Sequence, residues 1–121
     1  MKDKAVYYWK KGYNCSQCIL KAAETVYDIQ ITDQCLDICS GITGGFGTGC
    51  ICSVLIAGIM VLGLLFDELT VKRLRLQFLT EFTEKYGTLN CSSLKNSRTN
   101  GACDGIISGA FKILDDIIQR N

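Results

Sequence analysis

Cys50-Ile-Cys-Ser-Val-Leu-Ile-Ala-Gly-Ile-Met-Val-Leu-Gly-Leu-Leu-Phe66 is a run without a single charged side chain. A helix that is apolar on every side either crosses a bilayer or sits at the centre of a core. Bilayer-spanning helices take about 17–25 residues, and this run lies at the lower edge of that range. Ser53, Gly58 and Gly63 interrupt it, and the segments on either side are amphipathic. Such segments need something apolar to cover, so the reading is a central helix over about 50–66 wrapped by others. Membrane association ranks second.

Working outward, Lys2 to Lys11 reads as a short helix stopped at Gly12. Asn14 is the N-cap of a second helix, in which Cys15, Cys18, Ile19, Ala22 and Val26 share one face. Thr32 caps a short segment holding Cys35 and Cys39, four apart and so on the same side of a turn. The glycine-rich stretch Gly41–Gly49 then leads into the apolar run. Beyond it, Val71, Leu74, Phe78, Phe82 and Tyr86 mark an amphipathic helix ended by Gly87. Residues 88–104 are polar and turn-rich, and a last helix buries Ile106, Ile107, Ala110, Phe111, Ile113, Leu114, Ile117 and Ile118. No strand pattern, repeat or linker is present. The expectation is an all-α fold, one domain over residues 1–121, a bundle of five to six helices.

The chain has 121 residues, no proline and a formal charge of +1. Leu, Ile, Val and Phe form about 30% of it, enough for a packed core. The near-neutral balance excludes a general nucleic-acid binder. The basic triplet Lys72, Arg73 and Arg75 and the acidic Glu81, Glu84, Asp115 and Asp116 read as solvated faces. Tyr7, Tyr8 and Trp9 read as packing.

Two counts bear on chemistry: eight cysteines and no histidine. Without histidine there is no Ser-His-Asp or Cys-His relay, no Cys₂His₂ finger and no His-ligated haem. The N-terminal MKDKAVYYWKKGYN lacks the apolar core of a secretory signal, so a cytoplasmic location with reduced thiols is expected. There, clustered cysteines point to metal binding or redox chemistry. Thiolate is the reactive form, and helix N-termini stabilise it. Cys15 follows Asn14 at one helix start, and Cys50 and Cys52 follow the glycine loop at another. Cys91 and Cys103 lie in polar sequence where packing explains them poorly, whereas Cys18 and Cys39 fit buried filler as well as ligands. The glycine stretch is no nucleotide loop, because it lacks a Lys-Ser/Thr ending and a preceding strand. Gly44, Gly45 and Gly47 are candidates either for a nest of backbone N–H groups facing an anion or cofactor, or for close packing.

Gly12-Tyr-Asn-Cys15, Gly44-Gly-Phe-Gly47, Cys52-Ser-Val-Leu-Ile-Ala57 with Gly58 to Gly63, Phe82 through Cys91 to Leu94, and Cys103 before the last helix together resemble the C_GCAxxG_C_C family, which is labelled redox-active. The central Cys-Gly-Ala-x-x-Gly is altered here, with Ser53, Val54 and Ala57 in place of its glycine, alanine and glycine. The resemblance implies that Cys15, Cys52, Cys91 and Cys103 form one site, and that Cys18, Cys35, Cys39 and Cys50 are additional thiols. Similarity to split-Soret cytochromes is implied as well, and with it a cysteine-held iron–sulphur cluster, Cys₄ being the ordinary ligand set. Zinc is the next metal in order. Three functions stay open: a metal or cluster site for electron transfer or redox sensing, thiol–disulfide exchange with Cys15 or Cys52 attacking, and a structural module with inert cysteines. A redox partner protein and a homodimer are the expected partners.

Overall fold

A computed structural model describes residues 4–90, 94 and 104–121. Six α-helices occur among them: α1 (Lys4–Lys10), α2 (Cys15–Tyr27), α3 (Asp33–Asp37), α4 (Ser53–Leu65), α5 (Glu68–Tyr86) and α6 (Asp104–Gln119). The all-α, single-domain bundle expected from periodicity is what forms. The helix starts follow local cap chemistry. Asn14 accepts from the Gln17 N–H at 2.9 Å while the Gln17 side chain accepts from the Asn14 N–H at 3.1 Å, a reciprocal capping box. Thr32 caps α3 and Asp67 caps α5 in the simpler one-way form.

Helix α4 is the hub, packing against α2, α5 and α6, while α1 lies across α2 and α6. Its Val54, Leu55, Ala57, Gly58, Val61 and Leu62 are buried. They meet Ile19 and Ala23 of α2, Leu74, Phe78 and Phe82 of α5, and Ile107, Leu114 and Ile117 of α6 in one core. The central helix is shorter than the 50–66 run. It begins at Ser53, because the Cys52 N–H is drawn to the Leu89 carbonyl at 2.9 Å and Ile51 pairs with Asn90 in an isolated antiparallel bridge. Ile51 and Cys52 are therefore pinned to the segment that follows α5. Wrapping is also incomplete: Gly63 and Leu64 face outward. A thirteen-residue helix rises about 20 Å, short of a bilayer core of about 30 Å. No helix among the described residues is long and apolar enough to cross a membrane.

Some side chains expected to be solvated are not. Asp115 accepts a 2.5 Å hydrogen bond from the Tyr27 hydroxyl, tying α2 to α6, and burial of the phenol together with that bond pushes the Tyr27 pKa upward. Glu81 receives Arg120 at 3.0 Å. The basic triplet Lys72, Arg73 and Arg75 is exposed as expected.

Candidate functional site

A cavity of about 550 Å³ opens where the α1–α2 connection meets the start of α4. Trp9, Tyr13 and Cys15 form one side, Ser40, Thr43 and Gly44 contribute to the lining, and Cys52 and Ser53 form the floor with Val54. Cys15 is the first residue of α2 and is half-buried; Cys52 is the N-cap of α4 and is buried. Two thirteen-residue helices thus aim their N-terminal N–H groups at one space, where a partial positive charge favours thiolate or an anionic sulfur ligand. The Cys15 Sγ and the Ser53 Oγ are 3.0 Å apart, which links the first turn of α2 to the first turn of α4.

The additional thiols divide by environment. Cys18 is fully buried and its thiol points to the Tyr13 carbonyl at 3.7 Å. Burial, and then the neighbouring Cys15, push its pKa up to about 12. Cys39 is also fully buried and donates to the Cys35 carbonyl at 3.4 Å. Burial raises its pKa, the Ser16 hydrogen bond works against this, and Cys35 and Cys15 add to the rise. Both are protonated filler in the ordinary pH range. Cys35 is half-buried and accepts from the Thr32 hydroxyl at 3.3 Å. Cys50 is exposed in a separate groove with Thr83 and Thr88 and accepts from the Thr48 hydroxyl at 3.0 Å, so it does not share the cavity of Cys52. Cys91 and Cys103 lie outside the described residues. Among the described residues no three Cys, Asp or Glu side chains gather closely enough to hold a metal ion.

Cys15 and Cys18 therefore differ in reactivity although they share a helix face. With iodoacetamide at pH 8, Cys15 is expected to be labelled while Cys18 is spared until denaturant is added; peptide mapping reads both. Ionisation of Cys18 also makes stability pH-dependent. The unfolded thiol titrates near 9 and the folded one near 12, so between those values the unfolded state binds fewer protons. Cys18 then stabilises fully below pH 9, and stability falls as pH rises above it, by up to about 1.4 kcal/mol per unit. Denaturant titrations of wild type and Cys18→Ala from pH 8 to 11 measure this slope, which is expected to be shallower in the variant.

The glycine loop takes a form that spacing did not announce. Gly44, Gly45, Phe46 and Gly47 are successively left-handed, with Phe46 at φ 64°, ψ 25°. A nest alternates right- and left-handed residues, so this is a left-handed turn of another kind. Its Phe46 N–H bonds to the Ile42 carbonyl and its Cys50 N–H to the Gly45 carbonyl, both at 3.2 Å. Gly44 lines the cavity. Gly45 is confined for a second reason, because a Cβ there would lie 2.4 Å from the Cys50 backbone nitrogen.

A protein-family profile described as "Putative redox-active protein (C_GCAxxG_C_C)" matches residues 13–117. The chain belongs to the C_GCAxxG_C_C family. No match was found among curated proteins or among solved structures. The matched span takes in all eight cysteines and both cavity helices. Sequence reasoning does not pick out Ser53 as part of the site. Trp9, expected as packing, and Tyr13, which nothing in its spacing marks, form the cavity wall.

Proposed function

We propose that this chain is a small redox protein whose working sulfurs are Cys15 and Cys52, completed by Cys91 and Cys103 as a thiolate set for an iron–sulphur cluster or, next in order, zinc. Its role is electron transfer or redox sensing with a partner protein. The observation that carries the reading is that Cys15 and Cys52, remote in sequence, line one cavity at two helix N-termini. The donor set suits the group: sulfur is the ordinary ligand of such clusters, and helix-start N–H groups and a nearby hydroxyl are the hydrogen-bond donors that tune ligand sulfur. A bound iron–sulphur cluster would supply reversible one-electron chemistry. The chain's own part is to hold the sulfurs in place, to supply those donors and to wall one side with Trp9 and Tyr13. Thiol–disulfide exchange through Cys15 and Cys18 is disfavoured by the burial that keeps the Cys18 thiol protonated.

The test is anaerobic purification of the full chain, followed by iron, zinc and acid-labile sulfide analysis and a visible spectrum. Bound metal is expected, with at least a tenfold loss in Cys15→Ala and in Cys52→Ala. Metal-free wild type with a reversible thiol pair would transfer the site to disulfide exchange. Metal-free wild type with unreactive cysteines would leave only a structural module.

A further inference from the structure

No residue from Ile38 to Phe66 carries a charge, yet much of the first part of that segment lies at the surface. Ser40, Thr43 and Gly44 line the cavity. Two residues to either side of them stand Ile38 and Phe46, 65% and 51% exposed. Phe46 is held left-handed at φ 64°, a conformation a bulky aromatic ordinarily avoids, and its ring is turned out to solvent rather than packed in the core. Charge flanks this patch with opposite sign on its two sides. On one side Trp9 and Gly12 line the cavity, and the exposed Lys10 and Lys11 stand between them at the end of α1. On the other side the exposed Asp33 and Asp37 of α3 lead directly into Ile38. The Gln17 side chain donates to the Leu36 carbonyl at 2.9 Å, which fixes α3 against the first turn of α2. None of the four charged side chains has an ion-pair partner among the described residues.

We infer that this face pairs with a second copy of the chain about a two-fold axis at the cavity mouth. In such a contact the same patch is used twice, and the axis sets each side of it against the opposite side of the other copy. Lys10 and Lys11 then meet Asp33 and Asp37 of the partner subunit, and the reverse pairing repeats across the axis. Ile38 and Phe46 form the apolar centre. A differently charged protein would be matched by a rim of one sign. Here two cations stand against two anions, the arrangement that suits self-pairing. Removal of the apolar centre from water supplies the attraction. Exposed ion pairs add little to it, but they set the register, because like charges brought together cost more than opposite charges gain. The two cavities open onto one shared interface. The pairing is independent of the chemistry that the sulfurs carry.

Sedimentation equilibrium of the reduced full chain tests this, with half-association expected at about 1–100 μM, as suits a small interface. Lys10→Glu/Lys11→Glu makes both sides of the patch acidic, and Asp33→Lys/Asp37→Lys makes both basic. Each variant alone should associate about tenfold or more weakly than wild type at low salt. Mixed in equal amounts they are complementary again, and a heterodimer within about threefold of the wild-type affinity is expected. Phe46→Asn removes an apolar contact while asparagine tolerates the left-handed backbone, so association should weaken about tenfold with the fold intact. That variant keeps the test decisive where circular dichroism shows a charge variant to be unfolded. Wild type that stays monomeric to about 100 μM overturns the inference and leaves this face to a different protein. Dimers that survive the charge reversals and Phe46→Asn use another surface and overturn it equally. A mixture of folded charge variants that stays monomeric does the same.

Discussion

Gly45→Ala is expected to destabilise the protein by about 3–5 kcal/mol, a fall in Tm on the order of 10–20 °C for a chain of this size. Two independent costs add at this residue. Its φ of +62° lies in the left-handed region, and a Cβ would stand 2.4 Å from the Cys50 nitrogen and 2.9 Å from the Cys50 carbonyl carbon. Those atoms are backbone and cannot rotate away. The neighbouring Gly47 separates the two costs, for it has φ +75° with nothing within 4 Å of the point where a Cβ would stand. Gly47→Ala should therefore lose only about 1–2 kcal/mol, the conformational part alone. The larger loss at Gly45 carries a functional consequence. Cys50 is two residues from Cys52, so moving it strains the Cys52 N–H bond to Leu89 and shifts the floor of the cavity. Thermal melts of both variants decide the matter, and equal losses would show that the contact with Cys50 contributes nothing.

The second large effect lies where α4 crosses α5. Phe78 is 1% exposed and its ring edge occupies the space a side chain at Gly58 would need, 2.6 Å from the Cβ position. Phe78→Ala is expected to cost about 3–5 kcal/mol through lost burial and the void left behind. Gly58→Ala alone should cost about 1–3 kcal/mol, because the hemmed-in ring must shift to admit one methyl. In the Phe78→Ala background the sign reverses. The clash is gone, the methyl enters part of the void, and alanine is the better helix former by about 1 kcal/mol, so Gly58→Ala becomes neutral or stabilising. Urea titration of the four proteins measures the cycle. Additive losses would mean that the two residues do not share the crossing.

Much of the architecture was legible because its causes are local. The Asn14 and Thr32 caps lie within three residues of the amides they satisfy, and the buried Leu74, Phe78 and Phe82 recur at helical spacing. The start of α4 was not legible. Apolar character runs back to Cys50, but Ile51 and Cys52 take backbone partners at Asn90 and Leu89, and nothing within the run signals a partner nearly forty residues away. Phe46 in a left-handed conformation was equally hidden, since a bulky aromatic ordinarily avoids that region. Asp115 reads as a surface charge until Tyr27, 88 residues earlier, is folded against it.

The same division runs through the candidate site. Eight cysteines and no histidine direct the expectation to sulfur chemistry, because reactivity and ligand softness belong to the side chain itself. Where each described sulfur lies was decided by the tertiary structure. Cys15 and Cys18 are one helical turn apart, yet one faces a cavity beside Ser53 and the other is sealed in the core with its proton held. Residue type and periodicity act over a few residues and survive in the sequence. Burial, hydrogen-bond partners and the meeting of two helix ends depend on distances through space, and those exist only once the chain has folded.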